Sequence, residues 1–187
     1  MWSLKLIYKR NKGFTLLELI LAIGLSSIVA LSLLSILNYS KNTSIIGNEI
    51  DELMLNGRYA MEYIKKEIKA ADKILPANKI YVLRTSYKNN LGFAIMNKEG
   101  QSYRYTSYYW RNDGKLFRIS GHAAKEQYPV MDVQWGHNEI GEFFHSIKDS
   151  KLDLDNNMIY LDLKLKSTNG QELNLKTNIF IRCPIDN

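Results

Sequence analysis

The chain has 187 residues, 45% of them hydrophobic and 24% charged, with a formal net charge of +6. That composition suits one modest folded domain and excludes a disordered or collagen-like chain. A single cysteine, Cys183, excludes an intrachain disulfide, and the positive charge alone does not make a nucleic-acid protein.

The charge is concentrated at the N-terminus. Residues 1–13 hold Lys5, Lys9, Arg10 and Lys12 and no acidic residue, which leaves 21 basic against 19 acidic residues elsewhere. Most of the excess therefore reads as a topology signal. From Phe14 to Leu37 run 24 residues whose only charge is Glu18. As a helix at about 1.5 Å per residue this run crosses about 30 Å of hydrocarbon with length to spare. Basic residues before it place the rest of the chain outside the cytoplasm. A core helix of a soluble domain is the first alternative, but a domain of this size cannot bury such a helix all round. A cleaved signal peptide is the second. Ala22-Ile23-Gly24 offers small residues at suitable spacing, yet cleavage there leaves another apolar run, Leu25–Leu37, at the new terminus. A lipoprotein is excluded, because no cysteine stands near a cleavage position.

The stretch "KGFTLLELILAIGL" resembles the N-terminus of the type IV pilin family, including the pseudopilins of type II secretion. Gly13, Phe14, Thr15, Leu16-Leu17 and Glu18 carry the resemblance. It implies a leader, residues 1–13, cut after Gly13 by a prepilin peptidase. It also implies N-methylation of Phe14, the new first residue. Glu18 would then neutralise the Phe14 amine of a neighbouring subunit and so set the stagger in a fibre. A carboxylate in lipid needs such a partner, costing about 2.5–3.5 kcal/mol at mid-bilayer without one. Pairing with its own chain's amine, one turn away, is the alternative. Other pilin subunits, the peptidase and membrane lipid along residues 14–37 are the implied partners. The implied location is the cytoplasmic (inner) membrane, with the C-terminal domain outside the cytoplasm, and then the fibre.

After Leu37 the helical period continues: Ile46, Ile50, Leu53, Met54, Met61, Ile64 and Ile68 share one face, and Glu52, Glu62, Lys66 and Lys69 the other. Glu62 and Lys66 are spaced for an ion pair. Pro76 is expected to close this second, amphipathic half, residues 38–75. A separate helix after "NYSKNTS" is the alternative, with Asn42, Thr43 or Ser44 as its cap. "NGRYAMEYIKKEIKAA" is similar to the same region of W-type minor pilins and J-type minor pseudopilins.

From residue 76 a β domain is expected. The period changes to two, and "KIYVLRT", "LGFAIMN", "SYRYTSYYWR", "KLFRIS", "MDVQW", "MIYLDLKLK" and "ELNLKTNIFIR" read as strands. Turns fall at Asn89-Asn90, Lys98-Glu99-Gly100, Asn112-Asp113-Gly114 and Thr168-Asn169-Gly170. In the last hairpin a three-residue loop pairs Leu165 with Leu173 and Leu163 with Leu175, with Gly170 left-handed. The expected fold class is α+β, pilin-like, with one long N-terminal helix packed on an antiparallel sheet.

The chemistry-bearing residues form no enzyme motif. His122, His137 and His145 lack metal or catalytic spacing. Asp153, Asp155 and Asn157 alternate like the start of a calcium loop, but Met158 and Lys164 stand where a glycine and an acid are needed, which favours a hairpin turn. No cofactor or metal is expected. "YRYTSYYWR" places Tyr103, Tyr105 and Tyr109 on one face and Arg104, Tyr108 and Trp110 on the other. An ordinary strand over a core accounts for it, with contact to single-stranded nucleic acid as the secondary expectation. Many major pilins carry a proline in this helical region and a C-terminal cysteine pair. Set beside that resemblance, the lack of a proline before Pro76 and of a cysteine pair argues against a major fibre subunit. Glu18, commonly absent from the tip pseudopilin, favours a position below the tip. The rival class is a signal-anchored extracytoplasmic binding domain that does not polymerise.

Overall fold

The computed structural model describes residues 13–126 and 135–186. Leader residues 1–12 and nearly all of the strand expected at "MDVQW" lie outside the described residues. The chain divides between Ile45 and Ile46 into two compact units.

Helix α1 runs from Leu16 to Lys69 without interruption. In its first unit the apolar side chains, Leu16 through Leu37, are exposed on every side. An 18-residue window there has a mean hydropathy of 2.5, long and apolar enough to cross a membrane. Three of its hydroxyls are satisfied internally: Ser27, Ser32 and Ser35 donate to the Ile23, Ile28 and Leu31 carbonyls at 2.8–3.0 Å. Such back-bonding suits a helix whose surroundings supply no water.

In the second unit α1 buries one stripe, Leu53, Gly57, Ala60, Met61, Ile64 and Ile68. Gly57 permits the closest approach, since a Cβ there would lie 2.6 Å from Leu175 Cδ1. Lys65, not Lys66, pairs with Glu62, at 3.3 Å. The helix ends at Lys69, short of Pro76, because Lys73–Pro76 pair with the next strand as β1.

A second difference follows at once. "KIYVLRT" is not a strand: residues Ala77–Lys79 form a 3-10 turn and Tyr81–Thr85 a short helix, α2. Leu75, Ile80 and Leu83 are fully buried there, so short-range apolar content alone imitated a strand.

The strands β2 (Phe93–Glu99), β3 (Ser102–Arg111), β4 (Lys115–Ala123) and β5 (Gly136–Gly141) complete a five-stranded antiparallel sheet in the order β1-β2-β3-β4-β5. The second sheet is built on β8 (Met158–Lys166). It pairs along its whole length with β9 (Glu172–Phe180), and with the short β6 (Phe144–Ser146) and β7 (Lys151–Asp153). Leu165 faces Leu173 and Leu163 faces Leu175, with Gly170 at φ 89°. That is the register expected from the three-residue loop.

The described residues form two cores. One joins α1 to both sheets through Leu53, Ile64, Phe93, Tyr108, Leu161 and Leu163. The other lies on the opposite face of the first sheet, where Leu75, Ile80, Leu83, Met96, Tyr105 and Ile119 meet. The segment 77–85 is the lid of that second core. The architecture is α+β: one long helix on antiparallel sheets.

Candidate functional site

The first turn of α1 is organised around Thr15 and Glu18. The Thr15 N–H donates to Glu18 Oε2 at 2.9 Å and its hydroxyl to the same oxygen at 3.1 Å. The Glu18 N–H returns a bond to Thr15 Oγ1 at 3.2 Å. This reciprocal pattern is a capping box, with Thr15 as N-cap and Glu18 three residues on. Two of the helix's orphan donors are thereby satisfied, and the carboxylate sits at the positive end of the helix dipole. Threonine at one end and glutamate at the other is the sequence signature of such a box, directly before an apolar run. Reading Glu18 only as a charge in need of a cation missed it.

The capping box leaves Glu18 exposed, with no cation paired to it among the described residues. Phe14 is 90% exposed. A Cβ added to Gly13 would meet nothing within 4 Å, so the fold itself does not demand glycine there. Gly13, Phe14 and Glu18 thus stand together at one exposed helix start.

Residues 8–34 match the prokaryotic N-terminal methylation motif. The match spans the basic residues, Gly13-Phe14, the capping box and most of the apolar run. It supports the type IV pilin and pseudopilin family, whose subunits are structural and processed by a prepilin peptidase. No curated protein and no solved structure matches the chain.

Elsewhere several polar residues of the second unit hold it together. Glu67 of α1 receives Arg118 Nε at 3.0 Å and Nη2 at 2.8 Å, together with the Tyr108 hydroxyl. Burial pushes the Tyr108 phenol far up, so it remains a donor. Burial opposes the charge on Arg118, but the hydrogen bond and charge of Glu67 outweigh it and raise its pKa. This cluster fastens the last turn of α1 to the first sheet.

The aromatic stretch is occupied in the same way. Tyr105 and Tyr108 are fully buried, one in each core, and Arg104 pairs with Glu99 at 2.7 Å. Tyr109 stacks on Phe117, while the Tyr109 and Tyr87 hydroxyls bond the two nitrogens of His137. The buried rings leave no continuous row of faces for stacking bases.

The remaining residues weighed for metal chemistry are scattered. His122 contacts Glu99 at 3.1 Å and His145 is exposed. Asp153 accepts from the Asn156 backbone and side chain at 3.1 and 2.9 Å, closing the turn between β7 and β8. Asn157, at φ 51°, completes that turn. Among the described residues no group of three or more His, Cys, Asp or Glu converges.

Proposed function

We propose that the chain is a minor type IV pilin or pseudopilin, of the W-type or J-type kind. It is a non-enzymatic subunit, inserted in the cytoplasmic membrane with its β domain outside and then drawn into a fibre. The observation that carries this reading is the methylation motif at residues 8–34 on an exposed, capped helix start. Cleavage after Gly13 frees the Phe14 amine, which is then N-methylated. Only Phe14 lies between the cut and the capping box, so the box itself is left whole.

Glu18 then has two successive partners. Within the membrane the Thr15 N–H and hydroxyl solvate its carboxylate, which lowers the cost of burying it. In the fibre the Phe14 ammonium of a neighbour adds a full charge, stronger than two neutral donors in low dielectric. The exchange of a local cap for an intersubunit ion pair drives each subunit to a fixed stagger.

Coexpression with a prepilin peptidase tests the first step. The intact mass should correspond to a chain beginning at Phe14, plus one methyl group. Gly13→Val should leave the precursor whole, since a β-branched side chain crowds the scissile backbone. A new terminus at Leu25 would instead support a signal peptidase, and an uncut parent chain would support a permanent anchor.

A further inference from the structure

The second sheet ends on an open strand. Among the described residues the only strand partner of β9 is β8, and the ladder shows which backbone groups are left over. At one end the Ser167 N–H donates to the Gln171 carbonyl at 2.8 Å; at the other, the Ile181 N–H donates to Asn157 at 2.9 Å. Both bonds fit the β8–β9 register, so odd-numbered residues of β9 bond to β8. Antiparallel ladders alternate, and therefore Glu172, Asn174, Lys176, Asn178 and Phe180 turn their N–H and C=O groups to the open edge.

A groove lies along that edge, between β9 and α1. One part, about 300 Å³, has Arg58, Met61 and Glu62 facing Leu175–Thr177. The other, about 470 Å³, has Lys65, Ile68 and Lys69 facing Asn178–Phe180, Arg182 and Cys183. Residue numbers rise together on both walls, so helix and strand run the same way along it. Its floor is apolar, from Met61, Ile68 and Ile179. Its rim is cationic: among the described residues Arg58, Lys69 and Arg182 make no ion pair, and Lys65 has only the exposed Glu62.

We propose that this groove receives an extended acidic segment of a partner protein subunit, added to β9 as a further strand. An open edge supplies backbone donors and acceptors that only an extended peptide can match in series. Alternate side chains of the added strand point toward α1, where the cations wait. Lys65 and Lys69 are one turn, about 6 Å, apart along the helix, near the roughly 6.8 Å between alternate strand residues. The remaining side chains on that face cover the apolar floor. The inference goes beyond the pilin reading and rests on the second unit alone, the end of α1 and the strands, so failure of the cleavage test leaves it standing.

The test uses the full chain in nanodiscs of zwitterionic lipid. The probe is a fluorescent nine-residue peptide, matched to β9, that alternates glutamate with valine or threonine. Saturable binding is expected, with Lys176 and Asn178 amides becoming protected from hydrogen exchange. Asn178→Pro removes a donor from the open edge and no bond to β8, so it should weaken binding at least about tenfold. Lys69→Glu combined with Arg182→Glu should weaken it similarly and abolish its salt dependence. These charge variants decide the matter if the proline variant melts early. Equal binding of a lysine-for-glutamate peptide, or of one N-methylated on alternate amides, would overturn the proposal. So would no binding up to about 1 mM, or competition by anionic lipid without protection of β9.

Discussion

Arg118→Met gives the sharpest view of how α1 is held to the first sheet. The wild-type guanidinium reaches Glu67 at 2.8 and 3.0 Å and Thr106 Oγ1 at 3.4 Å, with its side chain 11% exposed and that of Glu67 19% exposed. Methionine removes the cation and strands the carboxylate, which keeps only the Tyr108 hydroxyl. Losing one partner of a fully buried pair costs about 3–5 kcal/mol, and the residual exposure of Glu67 reduces this to about 2–4 kcal/mol. For the domain from residue 41 onward, of about 150 residues, that is a fall in Tm of about 6–12 °C. The assay is thermal and urea unfolding of that fragment. The double variant, Glu67→Met with Arg118→Met, should recover much of the loss, because an apolar pair no longer leaves a charge stranded. A single variant within about 0.5 kcal/mol of the parent would refute the clamp. So would a double variant whose loss is the sum of the singles.

Four further expectations follow from the same packing. Gly57→Ala should be nearly neutral, since about 1 kcal/mol of helix propensity offsets the push on two leucine tips. Gly57→Leu should cost about 3 kcal/mol or more in the same unfolding assay. Burial raises the Cys183 thiol above its usual range, so alkylation near pH 8 should be slow in the folded domain and become ordinary in denaturant. Lys164 and Lys166 hold the Asp149 and Glu172 carboxyls below their usual values by hydrogen bonds. Their contribution to stability is therefore present above the ordinary carboxylate range and lost as pH falls through the lowered values. The melting temperature should decline below about pH 4, less steeply in high salt. Thr15→Ala should strip the helical NMR shifts from residues 16–18 in micelles while leaving the rest of α1 intact.

The hairpin of β8 and β9 was legible because its two constraints agree. Alternating leucines fix the faces, and only a three-residue loop ending at Gly170 keeps Leu163 opposite Leu175. The lid at residues 77–85 was not legible, since five or six apolar-rich residues carry no period and β1 had to pair before the turn made sense. The same gap hid the second core. Alternation placed Tyr105 and Tyr108 on opposite faces, but it cannot say that both faces are covered. At the N-terminus the sequence held more than a charge argument extracts: Thr15 and Glu18, three apart before an apolar run, already spell a cap. The groove beside β9 was out of reach, because it needs the sheet order and the helix position together.

The central claim is that Glu18 joins one subunit to the next, and its most direct measurement is the amount of this subunit in sheared surface fibres relative to its membrane pool. Glu18→Val removes a carboxylate costly in lipid, so membrane retention should be unchanged or improved. Cleavage after Gly13 should persist, since the scissile bond lies outside the capping box. The neighbour's Phe14 amine would lose its counter-charge, and the fibre fraction should fall at least about tenfold. Glu18→Gln should fall between, because an amide keeps a hydrogen bond without the charge. A valine variant that enters fibres as fully as the parent would contradict the account.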